Sequence, residues 1–234
     1  MIVIVLAYLA SLIPAAVIYF WFRNHMYRKD EDYKLSCRAA FLKGVQSSLL
    51  VMLFSFSLSM LGSFLFKDKT TLLYIAYRKF IVLAFAEELA KFITFRRFLN
   101  TRSSASALDM ICYMTLVGLG FEVIESVVYA FTTNAGQMLV RGITAMHAGY
   151  GFLMGYLYAG SRLTGKRIYA VLGVLIPFLL HGAYDFGLSE QFLALSDNSP
   201  FLSVSLALFA LVLLIWMFLF TRKARNNPVY TVNL

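Results

Sequence analysis

Glu87 and Glu88 stand side by side, four and three residues ahead of Lys91, in the run Ala86-Glu87-Glu88-Leu89-Ala90-Lys91. Glu122 and Glu125 share the run Phe121-Glu122-Val123-Ile124-Glu125. His147 precedes Gly149, Gly151 and Gly155, and His181 is followed four residues later by Asp185. A carboxylate held where the dielectric is low gains proton affinity and serves as a general base toward water. Histidines from two other segments can bind a metal or hydrogen-bond an oxyanion. Asp185 is placed to fix the His181 imidazole, as carboxylates behind metal-binding histidines do. The chemistry that uses these types together is hydrolysis.

Helix spacing says which of them meet. Glu88 and Lys91 are three apart and Glu87 and Lys91 four apart, with the glutamate on the N-terminal side, the better order for a pair. Glu87 and Glu88 point about 100° from each other. Lys91 therefore ties down one and leaves the other for chemistry. Glu122 and Glu125 share a face, as do His181 and Asp185.

The elements that position these residues are membrane helices. Of 234 residues 60% are hydrophobic and 14% charged, where a soluble domain carries about 25% charged. Apolar runs of about 18 or more residues read as spans. Seven are expected, at roughly 2–22, 41–66, 73–95, 105–131, 138–160, 168–188 and 201–221, all helical, because irregular backbone is not tolerated against lipid. They form one integral membrane domain over residues 1–234, with the motif-bearing helices at about 73–188. The first run begins at Met1 without a basic leader or cleavage site, so it is expected to be a retained signal anchor. Cys37, in a basic loop, and Cys112, in a span, have neither metal spacing nor a disulfide pattern.

The net charge of +9 sets topology; nucleic acid is not an expected partner. Fifteen Lys and Arg fall in the loops after spans one, three and five and in the C-terminal tail, against five on the other side: Lys67, Lys69, Arg78, Lys79 and Arg141. The positive-inside rule puts the fifteen in the cytoplasm, the N-terminus outside and the C-terminus inside. Arg141 reads as an interfacial anchor at the outer end of span five.

Glu87, Glu88, Glu122, Glu125 and Asp185, five of the twelve acidic residues, thus lie in the interior of spans, as do His147 and His181 of the three histidines. An ionised side chain at a helix centre costs about 2.5–3.5 kcal/mol, so five unpaired carboxylates would cost on the order of 15 kcal/mol. They must be paired, protonated or coordinated, facing the bundle interior. Glu87, Glu122, His147 and His181 are expected in the middle portion of their spans, which makes one shared site across spans three to six feasible. The glycines near the histidines read as close-packing positions.

In this order the motifs Glu87-Glu88-x-x-Lys91, Phe121-Glu122-x-x-Glu125, His147 before its glycines, and His181-Gly182-x-Tyr184-Asp185 resemble those of the PrsW family of intramembrane proteases. That family is related to the type II CAAX-prenyl proteases and to the APH scaffold subunit of γ-secretase. The resemblance runs from about residue 80 to 188. It implies an all-α polytopic bundle of the CAAX protease/APH-like fold in a bacterial cell membrane. It further implies an intramembrane endopeptidase that makes the first, site-1 type cut in a single-pass membrane-anchored regulator, an anti-sigma factor, during envelope-stress signalling. By position Glu87, Glu88, Glu125, His147 and His181 are the catalytic set, with Lys91, Glu122 and Asp185 in support. In the CAAX relatives the second motif ends in histidine; here Glu125 stands there. The family is classed with metalloproteases, which implies a divalent metal, zinc, on Glu125, His147 and His181, whereas the related enzymes support a glutamate-activated water without a metal. Two other functions use the same residue types: a non-catalytic scaffold subunit, and an ion-coupled transporter, which lacks here the broken helices and repeat symmetry of that class.

Overall fold

In lipid each backbone N–H and C=O must be satisfied within its own segment, so long apolar runs become helices. The computed structural model describes residues 2–24, 26, 28, 30–102, 104–132, 144–194 and 199–232, and every element among them is helical. The long ones are α1 (Ile2–Asn24), α2 (Glu31–Leu65), α4 (Ala86–Leu99), α5 (Ala107–Thr132), α6 (Met146–Thr164), α7 (Ile168–Gly187) and α9 (Ser199–Ala224). Three short ones are α3 (Leu72–Ala76), α8 (Glu190–Leu193) and α10 (Pro228–Thr231). Among the described residues five helices, α1, α2, α5, α7 and α9, are long and apolar enough to cross a membrane. The two further segments expected to span carry Glu87 and His147 and are less apolar. Arg141 and the start of the expected fifth span lie outside the described residues.

α5 is the centre of the bundle. Most of its apolar window is buried, and it packs most extensively against α6 and α2. Glycines set how close these helices come. A Cβ on Gly118 would overlap the His147 carbonyl, and one on Gly44 the Val117 carbonyl. Gly149, Gly151, Gly155 and Gly182 likewise face atoms that a Cβ would crowd, as expected of packing positions.

α2 starts ten residues earlier than its expected span. Asp30 caps it, accepting from Tyr33 N at 2.9 Å, and Arg28 Nε donates to the same carboxylate at 3.1 Å. That places Cys37 in a helix and buried, not in a loop. α5 opens on a reciprocal cap in which Ser106 N donates to Asp109 Oδ2 and Asp109 N to Ser106 Oγ.

Two local departures from α-helix flank the site. Residues Tyr77–Phe85, between α3 and α4, form a π-helix that ends two residues before Glu87. Its wider turn is held against α2, where Tyr77 donates to the Leu58 carbonyl at 2.7 Å and Ser55 to the Val82 carbonyl at 2.9 Å. π-Helical turns concentrate at functional sites. The second departure is Ala145, left-handed at φ 39° and fully buried. It breaks the helical run just before α6, so His147 stands in the first turn of its helix; the first part of the span expected around it lies outside the described residues.

Candidate active site

Four helices deliver the polar side chains to one place. Glu87 and Glu88 come from the first turn of α4, with Lys91 one turn on; Glu122 and Glu125 come from α5, His147 from α6, and His181 and Asp185 from α7. Glu88, Lys91, His147 and His181 are almost entirely buried. The basic residues Arg96, Arg97, Arg162 and Arg222 sit at the far ends of α4, α6 and α9. The site therefore lies toward the end of the bundle away from them.

The Lys91 ammonium organises one side. It donates to Glu88 Oε1 at 2.6 Å and to His147 Nδ1 at 2.9 Å, and lies 4.7 Å from the centroid of the Phe121 ring. Glu88 Oε1 also takes His181 Nδ1 at 2.9 Å. His147 Nε2 meets Glu125 Oε2 at 2.6 Å.

These bonds fix both tautomers. An ammonium has donors alone, so His147 Nδ1 accepts, and the neutral ring carries its proton on Nε2 toward Glu125. An ionised carboxylate only accepts, so His181 Nδ1 donates to Glu88, and it is in the neutral ring that Nε2 presents a lone pair inward. Glu87 Oε2 is 3.8 Å from His181 Nε2 and 3.9 Å from His147 Nε2, and Asp185 Oδ2 is 3.8 Å from His181 Nε2. Glu87 Oε2 is buried without a hydrogen bond among the described residues.

Several sequence-based roles change as a result. Lys91 ties down Glu88 and leaves Glu87 facing the imidazoles. Asp185 does not hold the outer nitrogen of His181; it faces the inner one, and Glu88, from another helix, takes the orienting position. Glu125 bonds His147 where a metal ligand set was expected. Glu122 stands one turn from Ser126 in the wall of a small cavity that reaches His147 and His181 and is also lined by Thr144, Tyr184 and Asp185. Tyr150, which lines the same cavity, was not singled out from the sequence. Its one signal was the three-residue spacing from His147, which puts both on one helix face.

The donor set fits a divalent metal. Ligand atoms of Glu87, Glu88, His147 and His181 lie within 4.8 Å of one another. Zinc takes imidazole nitrogen and carboxylate oxygen at about 2.0–2.2 Å, which spaces two ligands of one tetrahedral ion by about 3.3–3.6 Å. The observed 3.8 and 3.9 Å are a few tenths wider. Glu87 Oε2, without a hydrogen bond among the described residues, faces the gap, and the Glu88–His181 bond is the usual support behind a ligating histidine.

No solved structure matches the chain. Among curated proteins it is 28% identical over 197 residues to Protease PrsW of Clostridioides difficile (strain 630), covering 79% of this chain and 80% of that one. It is 27% identical over 187 residues to Protease PrsW of Shouchella clausii (strain KSM-K16), covering 78% and 83%. To Protease PrsW of Oceanobacillus iheyensis it is 32% identical over 130 residues, covering 53% and 55%. The family model described as PrsW family intramembrane metalloprotease matches residues 35–220, a stretch that holds all four motifs and every side chain gathered at the site, and on that match the chain belongs to the PrsW family and is a membrane protease.

Proposed function

We propose that this protein hydrolyses a peptide bond in a single-pass, membrane-anchored regulatory protein of the anti-sigma-factor kind, making the first cut on the extracytoplasmic side. The basic ends of α4, α6 and α9 support a cytoplasmic C-terminus and an outside N-terminus. With that orientation the site opens to the half of the bilayer where a site-1 cut would fall.

One observation carries the mechanism: Glu87 Oε2, buried and without a hydrogen bond among the described residues, faces Nε2 of both histidines at 3.8 and 3.9 Å. Glu87 accepts the proton of the attacking water. His147 turns its Nε2 proton, shared with Glu125 in the resting site, to the oxygen that gains charge as the carbonyl becomes tetrahedral. Lys91 and Glu125 hold that imidazole at its two nitrogens, and Glu88 holds His181. With a divalent metal bound, zinc by donor type, Glu87, His147 and His181 would hold it, and it would polarise the scissile carbonyl as a Lewis acid in place of the base and N–H roles of Glu87 and His147; the His147 Nε2 proton would then pass to Glu125, 2.6 Å away.

The test is cleavage of a co-expressed membrane-anchored anti-sigma factor by the wild type and by Glu87→Gln, His147→Ala and His181→Ala. Loss of a positioned general base lowers the rate by about 100-fold or more. Wild-type cleavage by Glu87→Gln would remove the proposed base.

A further inference from the structure

We infer that Tyr150 is a positioning residue that fixes the directions of both imidazoles through its ring. Tyr150 is one turn after His147 on α6 and is fully buried. Its ring lies nearly flat on His181, with centroids 5.2 Å apart and planes 21° apart. It meets His147 edge-on at 6.1 Å and 75°. The imidazoles contact each other edge-on at 5.0 Å and 80°. Three rings from two helices thus form one mutually touching set.

Among the described residues one hydrogen bond, from Nδ1 to Glu88, holds His181 against rotation about Cβ–Cγ. Any rotation that stretches this bond also swings Nε2 away from Glu87, 3.8 Å off. A phenol ring against the imidazole face blocks that rotation, because turning the imidazole drives its edge into the stacked ring. Offset-stacked contacts are favoured for aromatic pairs. The same phenol braces His147, whose own two nitrogens are already bonded. The ring is therefore what His181 lacks and His147 needs less. The role assigned here belongs to the ring and does not require the hydroxyl.

The kinetic arm of the test rests on the protease reading above, and the spectroscopic arm does not, so the two fail separately. The chain has three histidines, which makes selective labelling with ¹³C at the imidazole Cε1 assignable by His147→Ala and His181→Ala, with a short histidine peptide as the shift reference. In the wild type the His181 ring proton resonates upfield of that reference, the signature of a face-stacked ring. Tyr150→Leu moves that resonance back toward the reference, while Tyr150→Phe leaves it unchanged. For cleavage, Tyr150→Phe stays within about 3-fold of wild type, and Tyr150→Leu loses about 10- to 100-fold in kcat with KM within about 3-fold, the scale expected when a reacting group shifts by about 1 Å. If Tyr150→Leu does not fold, Tyr150→Met takes its place, with the same loss expected because the ring is gone. A wild-type His181 signal without the upfield displacement overturns the inference. So does a Tyr150→Phe protein as impaired as Tyr150→Leu, since the hydroxyl would then carry the role.

Discussion

Lys91 pairs with Glu88, at 2.6 Å, and not with Glu87, although both glutamates lie within helical reach of it. The choice follows from the side on which His147 sits. The ammonium reaches His147 Nδ1 at 2.9 Å with another of its protons, and from that position Glu88 is the carboxylate it can also touch. The pair is completely buried, and removing one partner of a buried pair leaves an uncompensated charge. Lys91→Met is therefore expected to destabilise the protein by about 3–5 kcal/mol. Adding Glu88→Gln to Lys91→Met recovers part of the loss, because the stranded charge is gone. Thermal unfolding in detergent of the two single variants and the double variant measures this. Additive losses would remove the coupling between the two residues.

Glu125 sets up a second contrast. It bonds His147 Nε2 at 2.6 Å and does not belong to the group whose ligand atoms converge. A supporting carboxylate and a ligand respond differently to substitution. With Glu125→Gln, zinc affinity in detergent is expected to fall by about 10- to 100-fold, because the acceptor for the Nε2 proton that His147 must give up is gone. With His181→Ala, zinc binding at the site is lost. Titration with zinc against a competing chromophoric chelator reads both. If Glu125→Gln abolishes binding as completely as His181→Ala, Glu125 is itself a ligand.

These contrasts mark what the sequence could and could not display. That Glu87, Glu88, Glu125, His147 and His181 would converge was legible, because each is too costly in lipid to stand alone. That Lys91 would take one glutamate was legible from spacing, but the choice depended on His147, 56 residues away. Asp185 was misread for the same reason. Its local spacing brings it near His181, yet Glu88 from another helix already occupies the outer nitrogen, so Asp185 meets the inner one. The position of His147 at the start of α6 was hidden because the break falls at Ala145, a residue type that gives no sign of left-handed backbone. The π-helix before Glu87 was hidden because Tyr77–Phe85 reads as an ordinary apolar helical run.

Ala145 yields a stability prediction of unusual sign. A non-glycine residue in the left-handed region costs about 1–2 kcal/mol, and Ala145 is held there at φ 39° and ψ 45°. Ala145→Gly relieves that cost, offset in part by the greater freedom of glycine in the unfolded chain, for a net gain of about 0.5–1 kcal/mol. Ala145→Val, branched at Cβ and fully enclosed, loses more than the gain. Melting temperatures of both variants in one detergent decide it. A less stable Ala145→Gly would mean that the conformation carries no strain.

Gly118 and Gly160 make a matched pair for the role of helix approach in activity. A Cβ on Gly118 would run into the His147 carbonyl, so α5 and α6 must part at the residue that holds the reacting imidazole. A Cβ on Gly160, on the same helix as His147 but toward its other end, meets nothing within 4 Å. Overpacking a close contact costs about 1–3 kcal/mol, and at Gly118 the displaced atoms belong to the site. Gly118→Ala is therefore expected to lower both the melting temperature and kcat, the latter by about 10-fold or more for a shift approaching 1 Å. Gly160→Ala gains about 0.5–1 kcal/mol from helix propensity and leaves cleavage unchanged. Cleavage assays and melts on the two variants side by side separate the effects. Equal activity in both would show that the backbone spacing of α5 and α6 does not set the position of His147.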